Sequence, residues 1–337
     1  MEDCTIGVIG AGSWGTTLSH MLAEKGFSVT LWVFEDELFP VLQTTRCNTR
    51  YLPGVKLSPR LVFTRSISEV VAGKQILIWA SPSQVFRSLF AEALPFARRE
   101  VIHVCASKGI ENSSLRRMSE IAEELDPELQ HRRFVVLSGP SFAREVCMKL
   151  PTAVVVASRD APSAARIQKV LATPWFRTYT SRDVVGVELG GALKNVIALA
   201  AGVADGLGYG NNTRAAIITR GLAEIMRLGK AQGADSVTFF GLSGLGDLVL
   251  TCTSTQSRNY SVGLQLGQGK TLETILSGMN AVAEGVFTTR SAFYLARQYG
   301  IEMPITSEAY QILYEQKPAS AAVRELMGRE LKDETPE

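Results

Sequence analysis

Histidine is scarce in this sequence. Only His20, His103 and His131 occur among 337 residues, far apart and without the spacing of metal ligands, so they read as structural or surface residues and no metal is called for. The five cysteines, Cys4, Cys47, Cys105, Cys147 and Cys252, are odd in number and form no CxxC pair. Neither a zinc site nor a secreted disulfide framework fits, and reduced thiols in a cytoplasm fit best. An excess of charge is also missing. Lys and Arg number 35 against 33 Asp and Glu, a net charge of +2, which gives no reason to expect nucleic acid or a membrane surface as partner. No stretch of about 20 apolar residues runs without interruption; the most apolar run, 184–205, carries Glu188 and Lys194. Repeats and low-complexity segments are absent. The acidic N-terminus runs straight into an apolar strand, so no secretory leader is expected.

What is present is an ordinary globular balance, 46% hydrophobic and 20% charged, in a chain long enough for two domains. The first half alternates short apolar stretches with helical patterns. Residues 4–9 predict a strand, 10–15 (GAGSWG) a turn, 16–25 a helix closed by Gly26, and 28–33 a second strand. A GxGxxG between strand and helix is a dinucleotide-binding fingerprint. Gly10 permits the tight turn, Gly12 lets the backbone approach a pyrophosphate, and Gly15 lets the helix pack closely on the strand. The helix start offers free N–H groups to the phosphates. Glu35 and Asp36 stand where such a fold places an acceptor for ribose hydroxyls, although they can also simply open the next helix. Strands are expected at 75–80, 101–106, 134–137, 153–157 and 175–179, forming a sheet with crossovers that is parallel in its first part. Lys108, after 101–106, and the turn Gly139-Pro140-Ser141, after 134–137, lie at carboxyl ends of strands, where doubly wound sheets bind ligands.

From residue 184 onward the pattern is almost wholly helical. Long helical side chains lean back over the preceding turn, so Lys194 should lie above Gly190 and Gly191. Its face then carries open space rather than a packed neighbour, and the glycine pair suggests a close backbone approach or room for a ligand. Lys194 also stands near the seam between the two halves, a common place for an active site. A second long helix is expected over 211–232, with Asn212 or Thr213 as N-cap and Gly233 closing it. The glycine-rich segment 241–254 contains Asp247 and Thr251. The next helix opens with Ser257-Arg258-Asn259, a natural seat for a phosphate, or else a serine N-cap beside a solvated arginine.

Together these residues resemble one family closely: the soluble nicotinamide-dependent glycerol-3-phosphate dehydrogenases, in their bacterial form. The likeness spans essentially the whole chain. It is carried by GAGSWGT at the start, NTRYLPG (48–54), SKGI (107–110), SGPSFAREV (138–146), GALKN (191–195), NNTRAAIITRG (211–221), GLSGLGDLVLTCTS (241–254), QSRN (256–259) and AEGV (283–286). The resemblance implies an α/β Rossmann-type N-terminal domain over 1–182 and an all-α C-terminal domain over 183–337. It implies interconversion of dihydroxyacetone phosphate and sn-glycerol 3-phosphate with NAD or NADP, feeding phospholipid synthesis. By position it makes Lys194 the catalytic lysine, with Lys108, Asp247 and Thr251 in support. Gly139, Ser141, Ser257, Arg258 and Asn259 become substrate contacts, joined by Lys108, Lys194 and Asp247. Gly10, Gly12, Ser13, Trp14, Gly15, Phe34, Ala143, Val282 and Glu284 fall on the cofactor side, which shares Lys108 and Arg258.

The chemistry agrees with the likeness. Ketone reduction leaves an alkoxide that needs a proton, and the Lys194 ammonium can donate it. A β-hydroxyacid dehydrogenase would also join such domains around a lysine, but it would select a carboxylate, whereas Ser257-Arg258-Asn259 with GLGDL favours a phosphorylated triose. A non-catalytic NAD(H)-sensing module would be expected to lack Lys194 or its supporters, and all are present. A homodimer is expected from base rates. Many bacterial members carry Arg or His directly after the second strand, where this chain has Phe34 and then Glu35. Phe34 can stack on adenine but cannot pair with a 2′-phosphate, and Glu35 would repel one, so NADH is expected to be preferred with NADPH still usable. Arg46 and Arg50 are the loop residues that could fold over to rescue NADPH.

Overall fold

The computed structural model describes residues 4–129, 133–279, 282–331 and 333–334; His131 lies outside them. Eight strands form one sheet: β1 (Thr5–Ile9), β2 (Ser28–Trp32), β3 (Val62–Thr64), β4 (Ile76–Trp79), β5 (Ile102–Cys105), β6 (Phe134–Ser138), β7 (Thr152–Ala157) and β8 (Phe176–Ser181). Between and after them run α1 (Ser13–Glu24), α2 (Leu38–Thr45), α3 (Ile67–Val71), α4 (Phe86–Ala93), α5 (Met118–Leu125), α6 (Ala143–Cys147) and α7 (Ala161–Leu171). The spatial order is β3-β2-β1-β4-β5-β6-β7-β8. Strands pair in parallel from β3 through β6, and only β6 with β7 is antiparallel. The expected sheet is therefore present, with β3 as a strand that periodicity did not reveal because it is only three residues long.

Side chains alternate across the sheet with the period of two that strands impose. Ile6 and Val8 of β1, Ile76 and Ile78 of β4, and Val135 and Leu137 of β6 pack on the side of α1, with Leu18 and Leu22. Ile9, Leu77, Trp79 and Val136 face the other way, onto Phe86 and Phe90. Burial on both faces explains why these strands read as unbroken apolar runs. The strand order reverses between β1 and β4, which opens a crevice at their carboxyl ends. The GAGSWG turn leaves β1 there, and Ser81-Pro82-Ser83 leaves β4. Of the histidines, His20 accepts the Ser58 N–H at 3.0 Å and His103 accepts the Trp79 indole N–H at 3.2 Å, both of them packing roles.

The remainder is helical: α8 (Val184–Gly206), α9 (Asn211–Ala231), α10 (Asp247–Cys252), α11 (Arg258–Gly267), α12 (Leu272–Ser277), α13 (Glu284–Tyr299), α14 (Pro304–Tyr314) and α15 (Ala319–Met327). By length and composition α8 could cross a membrane, yet nearly all of it is buried inside the fold, at the centre of the helical core. Glycines let α11 approach it. A Cβ on Gly202 would lie 2.1 Å from the Tyr260 carbonyl oxygen, and one on Gly263 2.0 Å from that of Leu199. Gly206 and Gly267 repeat the arrangement one turn on, against Leu264 and Val203. Each helix thus presents two glycines four residues apart on one face, and backbone meets backbone.

One expectation for α9 fails. Its N-cap is Gly210, with no side-chain cap, rather than Asn212 or Thr213. The Gly210 carbonyl already accepts the N–H groups of Thr213 and Arg214, so the helix begins earlier and takes both residues into its first turn. Gly233 follows the helix at a φ of +83°, as expected of a closing glycine. The glycine seam yields a stability test. Gly263→Ala inserts a methyl group into a backbone contact and should cost about 1–3 kcal/mol. The measurement is the urea unfolding midpoint, and an unchanged midpoint would show that α8 and α11 can separate freely.

Candidate active site

The glycine turn has the three properties that the motif requires. Gly10 has a φ of +116°, and a Cβ there would lie 2.8 Å from the Ala80 carbonyl oxygen. Around Gly12 a Cβ would meet nothing within 4 Å, which leaves room for a ligand against the backbone. On Gly15 a Cβ would lie 1.9 Å from the Gly10 carbonyl oxygen, so helix and turn touch. The N-terminus of α1 has no acidic residue and no side-chain cap, leaving its N–H groups for an anion. These residues fit a dinucleotide. Ser13 opens α1, while the Trp14 indole packs on the core beside Phe176. Ala143 lies against the same helix, its carbonyl accepting the Thr17 hydroxyl at 3.3 Å.

At the end of β2, Phe34 is 71% exposed, tilted beside Trp32. Glu35 accepts the Tyr51 hydroxyl at 2.7 Å, whereas Asp36 pairs with Arg65 and so is not held beside Glu35 as a second ribose acceptor. Burial, the bond to Glu35 and its charge push the Tyr51 hydroxyl up to about 12. Arg46 is committed elsewhere: it donates to the carbonyls of Ser58 and Leu61 and stacks on Phe63. Arg50 stays exposed, 5.3 Å from the centre of the Tyr51 ring.

At the seam three charges meet. Lys194 donates to Asp247 Oδ1 at 2.5 Å and to Thr251 Oγ1 at 2.8 Å. Lys108 donates to the other oxygen, Asp247 Oδ2, at 2.7 Å and to the Gly139 carbonyl at 3.3 Å. Asp247 is 1% exposed and Lys194 8%. Burial lowers the Lys194 pKa to about 8; Asp247 opposes that lowering and Lys108 adds to it. Burial alone would raise Asp247, but the two ammonium charges outweigh it and hold the carboxyl below its usual range. Cys252 lies beneath, its thiol pushed up to about 12 by burial and therefore neutral. The expected open space over Gly190 and Gly191 is not there. A Cβ on Gly190 would lie 2.6 Å from the Ser243 carbonyl oxygen, and one on Gly191 2.6 Å from Ser138 Oγ and 3.7 Å from Lys108 Cδ. The glycines serve close approach: they let the 241–246 turn and the end of β6 come up to α8.

The third wall comes from α11 and α13. Ser257 is the N-cap of α11, its Oγ accepting the Tyr260 N–H at 3.2 Å. Asn259 accepts the Gly285 N–H at 2.8 Å, tying α11 to the start of α13. Arg258 is solvent-exposed but set down in the cleft, where enclosure lowers its pKa while Glu284 and Tyr51 oppose that effect. Glu284 reaches the turn after β4, accepting the Ser83 N–H at 3.0 Å and its hydroxyl at 2.6 Å. Burial raises the Glu284 pKa, with Ser83 and Arg258 opposing. Ser141 folds back on its own turn, donating to the Gly139 carbonyl at 3.0 Å. Val282 is exposed just before α13.

Of the residues singled out from sequence, the structure brings Lys194, Lys108, Asp247 and Thr251 together, and Glu284 joins the start of α13 to the turn after β4. Tyr51, Ser83 and Ser138 were not singled out. Tyr51 lay inside NTRYLPG without a role, and Ser83 in the tripeptide after β4. The Ser138 hydroxyl, buried and without a partner beside Gly191, lay inside SGPSFAREV without a role. The charge arrangement can be tested by following acylation of Lys194 by a small anhydride across pH with mass spectrometry. The midpoint should fall near 8 in the parent, move down in Asp247→Asn, and move up in Lys108→Met. Identical midpoints in all three proteins would contradict the arrangement.

Comparison with known proteins places these features in context. The family model described as NAD-dependent glycerol-3-phosphate dehydrogenase N-terminus matches residues 5–164, and the corresponding C-terminus model matches 183–324. A protein of Geobacter metallireducens named glycerol-3-phosphate dehydrogenase (NAD(P)+) is 58% identical over 329 residues, covering 98% of each chain. The crystal structure of glycerol-3-phosphate dehydrogenase from Coxiella burnetii superposes with a TM-score of 0.93 at 37% identity, covering 97% of this chain and 99% of the other. The Saccharomyces cerevisiae glycerol-3-phosphate dehydrogenase structure gives a TM-score of 0.80 at 28% identity, covering 96% and 99%.

Proposed function

The chain belongs to the family of NAD-dependent glycerol-3-phosphate dehydrogenases, and from that membership we propose how its residues divide the reaction. It is an NAD(P)-dependent oxidoreductase that interconverts dihydroxyacetone phosphate and glycerol 3-phosphate. When bound, the nicotinamide supplies or accepts the hydride.

Lys194 is the general acid and base. The observation that carries this reading is a buried ammonium held by Asp247 and Thr251, with a pKa of about 8. Reduction of the ketone leaves negative charge on oxygen, and an ammonium in a water-poor seam both stabilises that charge and donates the proton. In the reverse direction the neutral amine takes the hydroxyl proton. A pKa near neutrality keeps both forms within reach. Asp247 orients the amine, Thr251 receives a second N–H, and Lys108 adds positive charge beside Gly139. Arg258 at the start of α11 seats the substrate phosphate, with Ser257 and Asn259 holding that helix end in shape. Gly139 and Ser141 line the opposite wall.

The reading also places a division at residues 182 and 183, supported by α8 starting directly after β8. It takes the protein to be a cytoplasmic homodimer, in keeping with five cysteines that form no disulfide and with base rates for oligomers. Supply of sn-glycerol 3-phosphate for phospholipid synthesis is the role that follows from the product.

Lys194→Met should lower turnover by about 10²–10⁴ in protein that still folds and binds NADH, with some loss of thermal stability from the less compensated Asp247. In the parent, kcat/KM for the reduction should fall as pH rises through about 8, because the ammonium is the required form. Activity within a few-fold of the parent in folded Lys194→Met would remove the assignment.

Cofactor choice follows from the β2 end. Glu35, fixed by Tyr51, repels a 2′-phosphate, and Arg46 is tied to backbone carbonyls and cannot be spared to meet one. The ratio of kcat/KM for NADH over NADPH should exceed one and drop in Phe34→Arg. A parent that strongly prefers NADPH would contradict this and point to Arg50 or Arg65.

A further inference from the structure

Asn48 is a fully buried amide in the loop after α2. Its Nδ2 donates to the Ala11 carbonyl at 2.8 Å and to Thr16 Oγ1 at 2.8 Å, and its Oδ1 accepts the Tyr51 N–H at 3.0 Å. A carbonyl can only accept and a backbone N–H can only donate, so this orientation of the amide is forced. Thr16 Oγ1 in turn donates to the same Ala11 carbonyl at 3.2 Å. Asn48, Thr16 and Ala11 form a closed ring of hydrogen bonds.

We infer that Asn48 is a positioning residue for the cofactor pyrophosphate: by holding the Ala11 carbonyl it aims the Gly12 N–H. The peptide unit joining Ala11 to Gly12 is planar, and in a trans unit C=O and N–H point opposite ways. The carbonyl is drawn inward to Asn48 and Thr16, so the N–H is turned outward. Gly12 itself leaves open space, with nothing within 4 Å of a Cβ position. A donor aimed in advance needs no reorganisation when the anion arrives. The same side chain shapes the next turn by accepting the Tyr51 N–H, while the Leu52 N–H bonds to the Asn48 backbone carbonyl at 2.9 Å. That turn carries Tyr51, which holds Glu35. One amide therefore ties the glycine turn to the start of the loop that carries Tyr51. The inference rests on the cofactor assignment of the glycine turn made above.

The test measures affinity for NADH, ADP and adenosine by competition in the parent, Asn48→Ala, Thr16→Val and Thr16→Ser, with thermal unfolding as the check of fold. Asn48→Ala should weaken NADH and ADP by about tenfold to a hundredfold and adenosine by no more than about twofold, since adenosine lacks the pyrophosphate. KM for NADH should rise while kcat at saturating NADH holds. Thr16→Val should shift the same ligands in the same direction, and Thr16→Ser, which keeps the hydroxyl, should restore them. A parent that does not bind NADH would overturn the cofactor assignment itself. A parent that binds, with NADH and ADP affinities unchanged in the variants, overturns the role of Asn48. So does a loss shared equally by adenosine. Should Asn48→Ala fail to fold, the Thr16 pair decides the matter.

Discussion

Asp247 is a carboxylate removed from water and given two ammonium partners, one on each oxygen. Isolated burial of such a charge costs several kcal/mol, so the group is tolerable only when paired and hydrogen-bonded. The pairing dictates where three separate elements must lie. Lys194 is anchored on α8, Asp247 on α10, and Lys108 on the loop after β5. Removing either lysine would leave the carboxylate with less compensation. Removing the carboxylate would set two like charges beside each other. The trio carries a net single positive charge, and burial with a like-charged neighbour brings the inner lysine down to about 8.

That geometry is reachable only because backbones come unusually close. Gly190 admits the Ser243 carbonyl, Gly191 admits Ser138, and Gly202 and Gly206 interlock with Gly263 and Gly267 of α11. At Gly190 and along the α8–α11 seam, direct backbone packing replaces a side-chain layer. The consequence for the site is short reach: Lys194 and Asp247 meet across the α8–α10 contact without a bridging layer, and the start of α11 is drawn to the same end of α8. Glycine in mid-helix costs about 1 kcal/mol in propensity, and here the close packing of α8 offsets it.

On the cofactor side the same economy of placement comes from polar side chains in loops. Asn48, Tyr51 and Glu35 form a chain of hydrogen bonds from the glycine turn to the end of β2. Glu284 and Ser83 bridge the helical half to the turn after β4. Loops of this kind are held by specific side chains because their backbones lack the repeating ladder of a strand or helix.

Much was legible in the residues themselves, for local reasons. Strand periods, the glycine spacing of the β1–α1 turn and the long apolar run of α8 follow from neighbours within a few residues, as does the serine cap of α11. Lys194, Asp247 and Lys108 could be singled out as polar residues in apolar or glycine-rich surroundings. The three-residue β3 and the N-cap of α9 were not legible, the first for want of length and the second because a glycine carbonyl did what a side chain was expected to do. Tertiary structure alone decided how the singled-out residues meet. Sequence left the space over Gly190 and Gly191 open to a ligand or to a backbone, and the fold filled it over Gly190 with backbone from 53 residues further along, at Ser243, and over Gly191 with the side chains of Ser138 and Lys108. The bond between Asn48 and Ala11 spans 37 residues, and that between Ser83 and Glu284 spans 201. No periodicity or spacing encodes contacts at such separations. They exist because burial of the sheet and of α8 brings distant loops to one crevice, where each buried polar group takes the partner that the packing leaves within reach.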